Sequence, residues 1–341
     1  MKATGIVRRI DELGRVVIPK EIRRVQHIRS GDSLEIFMEE NGEVVFKKYS
    51  PLAELGEPAA VYADVLARRL GCGVLVCDRE HIVAAAGAGK TKLPVSKMLL
   101  LGILAGFLIG VPSVVTNMAT YTVVGNSTVR MISGILFAFG LGTVILTGAE
   151  LFTGNTLILI SVLDKKATAA GMLRNWILVY IGNFLGSMFL SFVCARFGWL
   201  NAANGDTANA LAIASMKVAQ GKMTMPFQNA FFMGVLCNIL VTLGVLMSLA
   251  GKDGFSRVIG AWIPVCFFVT CGFNHSIADM TYCMLGLFGK QFYAEGAAFE
   301  ALSWGRYFTG NLIPVTLGNI VGGCAVAALM WYCYVRKPKA K

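Results

Sequence analysis

The sequence predicts a mainly α-helical membrane protein with a small β-rich domain at its amino end. Three observations lead there. Hydrophobic residues make up 55% of the 341 residues and charged ones only 15%, which is the balance of a bilayer-embedded chain. Two of the apolar runs are too long for one untilted span of about 20 residues and too short for two, and each is interrupted near its middle by small and polar residues. Charge is concentrated at the front, where residues 1–92 hold 15 of the 31 Lys and Arg and 13 of the 20 acids. A net charge of +11 is thus a sum over unlike parts and does not by itself mark a nucleic-acid binder.

Residues 1–50 alternate in short runs around Gly5–Ile10, Arg15–Ile18, Leu34–Met38 and Glu43–Lys48. Gly14, Pro19, Gly31 and Asn41-Gly42 separate them. The pattern predicts short strands joined by tight turns, with Pro19 opening a brief helix through Glu21-Ile22-Arg23-Arg24. Fifty such residues make a poor core alone, so the reading includes a dimer. The near-continuous run from Lys2 to Arg24 resembles the swapped-hairpin DNA-binding domain of the AbrB/SpoVT family. That resemblance implies two interleaved chains and DNA contacts from Arg8, Arg15, Arg23 and Arg24, since guanidinium groups on a rigid face can bond phosphates and base edges. A solvated charge is the plain alternative for each. Leu52 to Gly56, Tyr62 to Arg69 and Gly73 to Asp78 resemble the opening of the sensory GAF domain that follows in SpoVT proteins, cut short before Lys90. The expected boundaries are 1–52, 53–90 and 91–341. The amino end lacks the pattern of a signal peptide, and the front is expected to stay on the side of synthesis.

Behind it six hydrophobic passages follow, over residues 97–118, 131–163, 173–195, 226–250, 257–289 and 309–335, the second and fifth broken. An even number places both termini on one side. With the front inside, the inner connections and tail carry Lys165, Lys166, Arg174, Lys252, Arg257, Arg336, Lys337, Lys339 and Lys341. The outer ones carry Arg130, Arg196, Lys217, Lys222, Lys290 and Arg306, a mild positive-inside bias. Trp176, Trp199, Trp304 and Trp331 fall near expected helix ends, as interface anchors do. Nine cysteines with no C-x-x-C pair give neither a disulfide framework nor zinc spacing.

The stretch Thr270–Met280 breaks the fifth passage and contains His275, an ionisable group at membrane depth and hence a functional-site hypothesis. A histidine satisfied by its helix neighbours is the plain alternative. Thr147–Asn155 breaks the second passage and contains Glu150. Irregular backbone at that depth survives only where protein or a water-lined cavity surrounds it. The helices after the two breaks share N-x6-G-N-x2-G: Asn175, Gly182, Asn183, Gly186 against Asn311, Gly318, Asn319, Gly322. Close packing alone would explain the glycines, but not breaks in corresponding places, which point to internal duplication around a midplane site.

Gly148 to Thr153, Cys237-Asn238, Gly272 to Met280 and Asn311 to Gly323, in that order, look like the formate/nitrite transporter family over nearly all of residues 91–335. The resemblance implies an aquaporin-like fold of six helices, two of them broken, in a homopentamer with one pore per subunit. It implies that His275 is the central pore histidine, that Thr153 faces it, and that Asn238 and Asn319 are buried near the pore. Lys222 would add positive potential near the outer mouth, and Phe137, Leu141, Leu151, Phe152 and Phe268 would form the apolar constrictions. Asn274 departs from the family, which often carries Glu before the histidine.

These expectations describe a multi-pass channel of the inner (plasma) membrane, both termini cytoplasmic, passing small monovalent weak-acid anions of the formate, nitrite and hydrosulfide class with His275 as proton relay or electrostatic gate. No enzyme chemistry or cofactor is expected, since the sequence holds neither a nucleotide-binding loop nor a metal-ligand cluster. The rival is a DNA-binding regulator, tethered to the membrane or misjoined to it. Symmetry opposes a simple union of the two, because a domain built from paired chains cannot pair off evenly among five subunits.

Overall fold

In the computed structural model the described residues are 7–25, 28, 33–38, 42–48, 61, 74–77, 82–86, 93–198, 200, 210–293 and 299–335. Trp199, the tail charges from Arg336 onward and most of residues 49–92 lie outside them. The chain divides into two units, Met1–Gly89 and Lys90–Lys341.

In the front unit, helix α1 (Lys20–Val25) follows Pro19, whose carbonyl accepts from Arg23 N. Strands β1 (Leu34–Met38) and β2 (Val44–Lys48) pair antiparallel with Ile36 opposite Phe46, and β3 (Val74–Cys77) pairs with β4 (Ile82–Ala86). The strands expected around Gly5–Ile10 and Arg15–Ile18 are not strands where described. Residues 11–15 form a tight turn instead, with Gly14 at φ +76° and the Asp11 carboxylate accepting from Leu13 N and Arg15 N. A strand needs a ladder partner, and the described residues supply none there; Val7, Leu13 and Val17 are left at least 70% exposed.

Among the described residues, the membrane unit has six helices long and apolar enough to cross a bilayer: α2 (Val95–Thr120), α3 (Asn126–Thr147), α5 (Ala169–Arg196), α7 (Phe227–Ala250), α8 (Gly254–Cys271) and α10 (Trp304–Val335). Between them lie α4 (Phe152–Leu163), α6 (Ala210–Met223) and α9 (Ser276–Tyr293). Thus α3 with α4 is the first broken passage and α8 with α9 the second. Each front half stops at a glycine in the left-handed region, Gly148 at φ +69° and Gly272 at φ +76°. The next amide closes the same wider loop in both, Ala149 N to Val144 O and Phe273 N to Phe268 O. This double closure is how a helix stops cleanly while satisfying its last carbonyls.

The duplicated glycines bring helices together in matching pairs. A Cβ on Gly182 of α5 would lie 2.7 Å from the Leu99 carbonyl oxygen of α2, while Gly318 of α10 lies against the Phe231 carbonyl of α7. Two expectations need correction. The stretch between the third and fourth passages is no simple connection: α6 buries Ala212, Ser215, Met216 and Ala219 and packs on α9, where Gly286 makes room for Ala219. Trp176 is no interface anchor, being 8% exposed with Nε1 donating to Asn155 O at 2.9 Å. Trp304, 39% exposed, lies at a helix start as expected.

Candidate functional site

Each break leaves the first amide of a new helix without an intrahelical acceptor, deep in an apolar body. The repeated asparagines meet that need. Asn183 Oδ1 accepts from Phe152 N at 3.0 Å, while its Nδ2 donates to Gly102 O and Glu150 O. Asn319 does the same at the other break, accepting from Ser276 N at 2.9 Å and donating to Gly234 O and Asn274 O. Asn238 ties the halves together, its Nδ2 lying 2.6 Å from Asn319 O and 3.2 Å from Thr153 O.

Superposing the breaks on Gly148 and Gly272 aligns Glu150 with Asn274, Leu151 with His275, and Asn155 with Asp279. The acid and the amide have exchanged places. In the first half Asn155 Nδ2 donates to the Glu150 carboxylate and to Asn175 Oδ1. In the second half Asn311, the counterpart of Asn175, donates to Asp279 Oδ2 at 3.0 Å. Lys222 at the end of α6 bridges Asn274 Oδ1, at 3.1 Å, and Asp279 Oδ1, and lies 5.3 Å from the Tyr282 ring centre. Lys222 therefore comes to the site, where a carboxylate stands beside its charge.

His275 is 3% exposed. Its Nδ1 accepts from Ala278 N at 3.2 Å, and Nε2 lies 2.8 Å from Thr153 Oγ1 on the opposite break. With Nδ1 occupied as an acceptor, the neutral ring carries its proton on Nε2 and donates to Thr153. The Phe268 ring lies 6.0 Å from the imidazole and meets Phe137 edge to face at 6.2 Å. A vestibule of about 180 Å³ reaches this point, with Phe137, Phe268, Lys222, His275, Asp279 and Tyr282 in its wall.

The structure thus brings His275, Thr153, Asn238, Asn319, Phe137, Phe268 and Lys222 together. Leu141, Leu151 and Phe152 are equally buried but do not line the vestibule; the Phe152 ring packs on Trp176 and Tyr180, with centres 6.0 and 4.8 Å away. Of the front arginines, Arg8, Arg15 and Arg24 are exposed and Arg23 is half-buried, while Arg15 Nε is paired with Asp11 at 2.9 Å. Sequence reasoning left out Asp279, Asn311 and Asn183. Two signals carried them: an acid inside an apolar run, and the register of the duplication, which makes Asn183 the equal of Asn319.

Known proteins resemble the two units separately. Residues 80–333 match the family model for formate/nitrite transporters. Residues 7–53 match that of the MazE bacterial antitoxins, and residues 54–99 that of the carboxy-terminal part of the transcription factor stage V sporulation protein T. A probable formate transporter of Methanothermobacter thermautotrophicus is 35% identical over 275 residues, 76% of this chain and 97% of that one. Stage V sporulation protein T of Bacillus subtilis is 63% identical over 90 residues, 26% of this chain and 51% of that one. Among solved structures, a pentameric formate channel with formate bound superposes with a TM-score of 0.64 at 33% identity, over 71% of this chain and 98% of that chain.

Proposed function

Because the chain belongs to the formate/nitrite transporter family across residues 80–333, we propose that it conducts small monovalent weak-acid anions such as formate, nitrite and hydrosulfide, coupled to a proton at His275. The observation that carries this reading is the His275 Nε2 to Thr153 Oγ1 bond at 2.8 Å, made between the two broken helices at the inner end of the vestibule. A bare monovalent ion crossing the Phe137–Phe268 pair would lose its hydration, at an idealised cost on the order of 20 kcal/mol. A protonated acid avoids most of that cost. When the ring takes up a second proton from water, the imidazolium can pass one proton to an arriving anion and return to the neutral form whose Nε2–H bonds Thr153. Thr153 O is itself fixed by Thr156 Oγ1 and Asn238 Nδ2, which keeps the donor from swinging away. No chemical conversion takes place; gradients of acid and proton drive the flow.

The full reading is a homopentamer in the inner (plasma) membrane, each subunit with its own pore and both termini cytoplasmic. The relative solved as a pentamer and the even number of spans support it. Purified protein in liposomes tests the passage. Wild-type flux of formate rises as external pH falls toward the acid's own range, and His275→Gln lowers it at least tenfold and flattens its pH dependence. A His275→Gln variant with wild-type rate and pH profile would refute the relay.

A second reading concerns the front unit alone. Its 63% identity to a sporulation protein that contains a transcription-factor segment favours DNA binding by residues 7–53, with Arg8, Arg15, Arg23 and Arg24 as the contacts. Salt-sensitive retention of duplex DNA by the full chain tests it.

A further inference from the structure

Resting on the anion-passage reading, we propose that Arg130, rather than Lys222, collects anions at the vestibule, and that its guanidinium favours planar two-oxygen anions over hydrosulfide. Lys222 and Asp279 both line the cavity and are paired with each other, so together they contribute no net charge. His275 is the third ionisable group in the wall besides Tyr282, and its bonding pattern is that of a neutral ring. A further cation, Arg130, stands beside that wall, against Gly272. Val129, Ser133 and Phe137 of α3 line the vestibule, and Arg130 follows Val129 on the same helix. Gly134, one turn further on, is pressed against α8, where a Cβ would meet Cys266 O at 3.0 Å. That contact sets Arg130 beside the end of α8.

The guanidinium there lies flat on Gly272, itself part of the vestibule wall. A Cβ on that glycine would be 3.6 Å from Arg130 Cζ and 3.7 Å from each Nη. Near-equal distances to the three atoms mean that the face of the group covers the glycine, so its N–H edge is not pressed against it. Arg130 is exposed, and among the described residues it makes no hydrogen bond or ion pair. It also stands at the carboxy end of α8, where the helix dipole alone would repel an anion. An arginine in that place reverses the local sign. Its two parallel N–H groups match the two oxygens of a formate or nitrite ion, a geometry that a hydrosulfide ion cannot use.

The test is flux of formate, nitrite and hydrosulfide into liposomes by the full chain carrying Arg130→Gln or Arg130→Lys, across anion concentration and ionic strength, with melting temperature as a control. Loss of one nearby unit charge predicts that Arg130→Gln raises the half-saturating concentration of all three anions about five- to tenfold and weakens the response to salt, with maximal flux within about twofold of wild type. Arg130→Lys keeps the salt response and raises half-saturation several-fold for formate and nitrite, leaving hydrosulfide unchanged. Wild-type half-saturation and salt response in Arg130→Gln overturn the proposal. So does a drop in melting temperature and maximal flux with half-saturation unchanged, which would make Arg130 a helix-end support. Equal behaviour of Arg130→Lys and wild type toward all three anions overturns the selectivity. If wild-type protein passes none of them, the passage reading fails and this proposal falls with it.

Discussion

Asn319→Ala offers the sharpest test of how the second break is held. The side chain is fully buried and makes three bonds, accepting from Ser276 N at 2.9 Å and donating to Gly234 O at 2.8 Å and Asn274 O at 3.1 Å. Gly234 O sits within α7 and keeps its place in that helix's ladder. Ser276 N opens α9 and Asn274 O lies in the break, so both lose a partner where water is scarce. Each orphaned group costs about 1–3 kcal/mol, for a sum of roughly 2–6 kcal/mol. At about 2–4 °C per kcal/mol for a body of this size, the detergent-solubilised protein should melt roughly 4–24 °C below wild type. Asn183→Ala, which removes the same three bonds from the first break, should fall in the same range. Asn319→Asp keeps the acceptor but sets a carboxylate against two carbonyl oxygens, and should be no better than Ala. Thermal melts followed by tryptophan fluorescence read all three. Since Asn319 steadies the start of the helix that follows His275, formate flux should fall as well. An Asn319→Ala protein melting within about 2 °C of wild type, with unchanged flux, would show that the break is held by other contacts.

Two further outcomes follow from packing and capping. Gly182→Ala would push a Cβ to 2.7 Å from Leu99 O and 2.9 Å from the Gly102 backbone, at a cost of about 1–3 kcal/mol, whereas Gly221→Ala in α6 meets nothing within 4 Å and should stabilise by up to about 1 kcal/mol; melting temperatures that move together would contradict the packing argument. Asp253 caps α8, and the Ser256 backbone N–H donating to its carboxylate holds it below the usual carboxylate value. A lowered folded value means stabilisation that is present at neutral pH and is lost as the pH falls through that value. Asp253→Ala should therefore melt below wild type at pH 7, with the gap narrowing toward pH 3, and a gap independent of pH would assign the effect to something other than the charge.

Much of the membrane unit was legible before any coordinates, because the signals are local. Hydropathy sets where a chain can cross a bilayer, and glycine followed by small and polar residues inside such a run marks where the helix must stop. The duplication around Asn175–Gly186 and Asn311–Gly322 announced two equivalent breaks, and the family resemblance gathered His275, Thr153 and Asn238 to one place. The helix α6 was not legible. Its fourteen residues include Lys217, Gln220 and Lys222, so its composition is that of a connection, and only burial against α9 makes it part of the core. Leu141, Leu151 and Phe152 were grouped with the pore by the family resemblance, yet the Phe152 ring packs on Trp176 and Tyr180 of α5.

What the sequence by itself determined is the number of crossings, the position of both interruptions and the identity of the one histidine between them, since each depends on residues within a turn or two of one another. What tertiary structure decided is the electrostatics of the site. Lys222 and Asp279 are 57 residues apart, and no local pattern says that the lysine meets that carboxylate while Arg130, among the described residues, has no ion-pair partner. Side chains of opposite sign pair when packing brings them within reach in a body of low dielectric, and that reach is a property of how α3, α6, α8 and α9 meet.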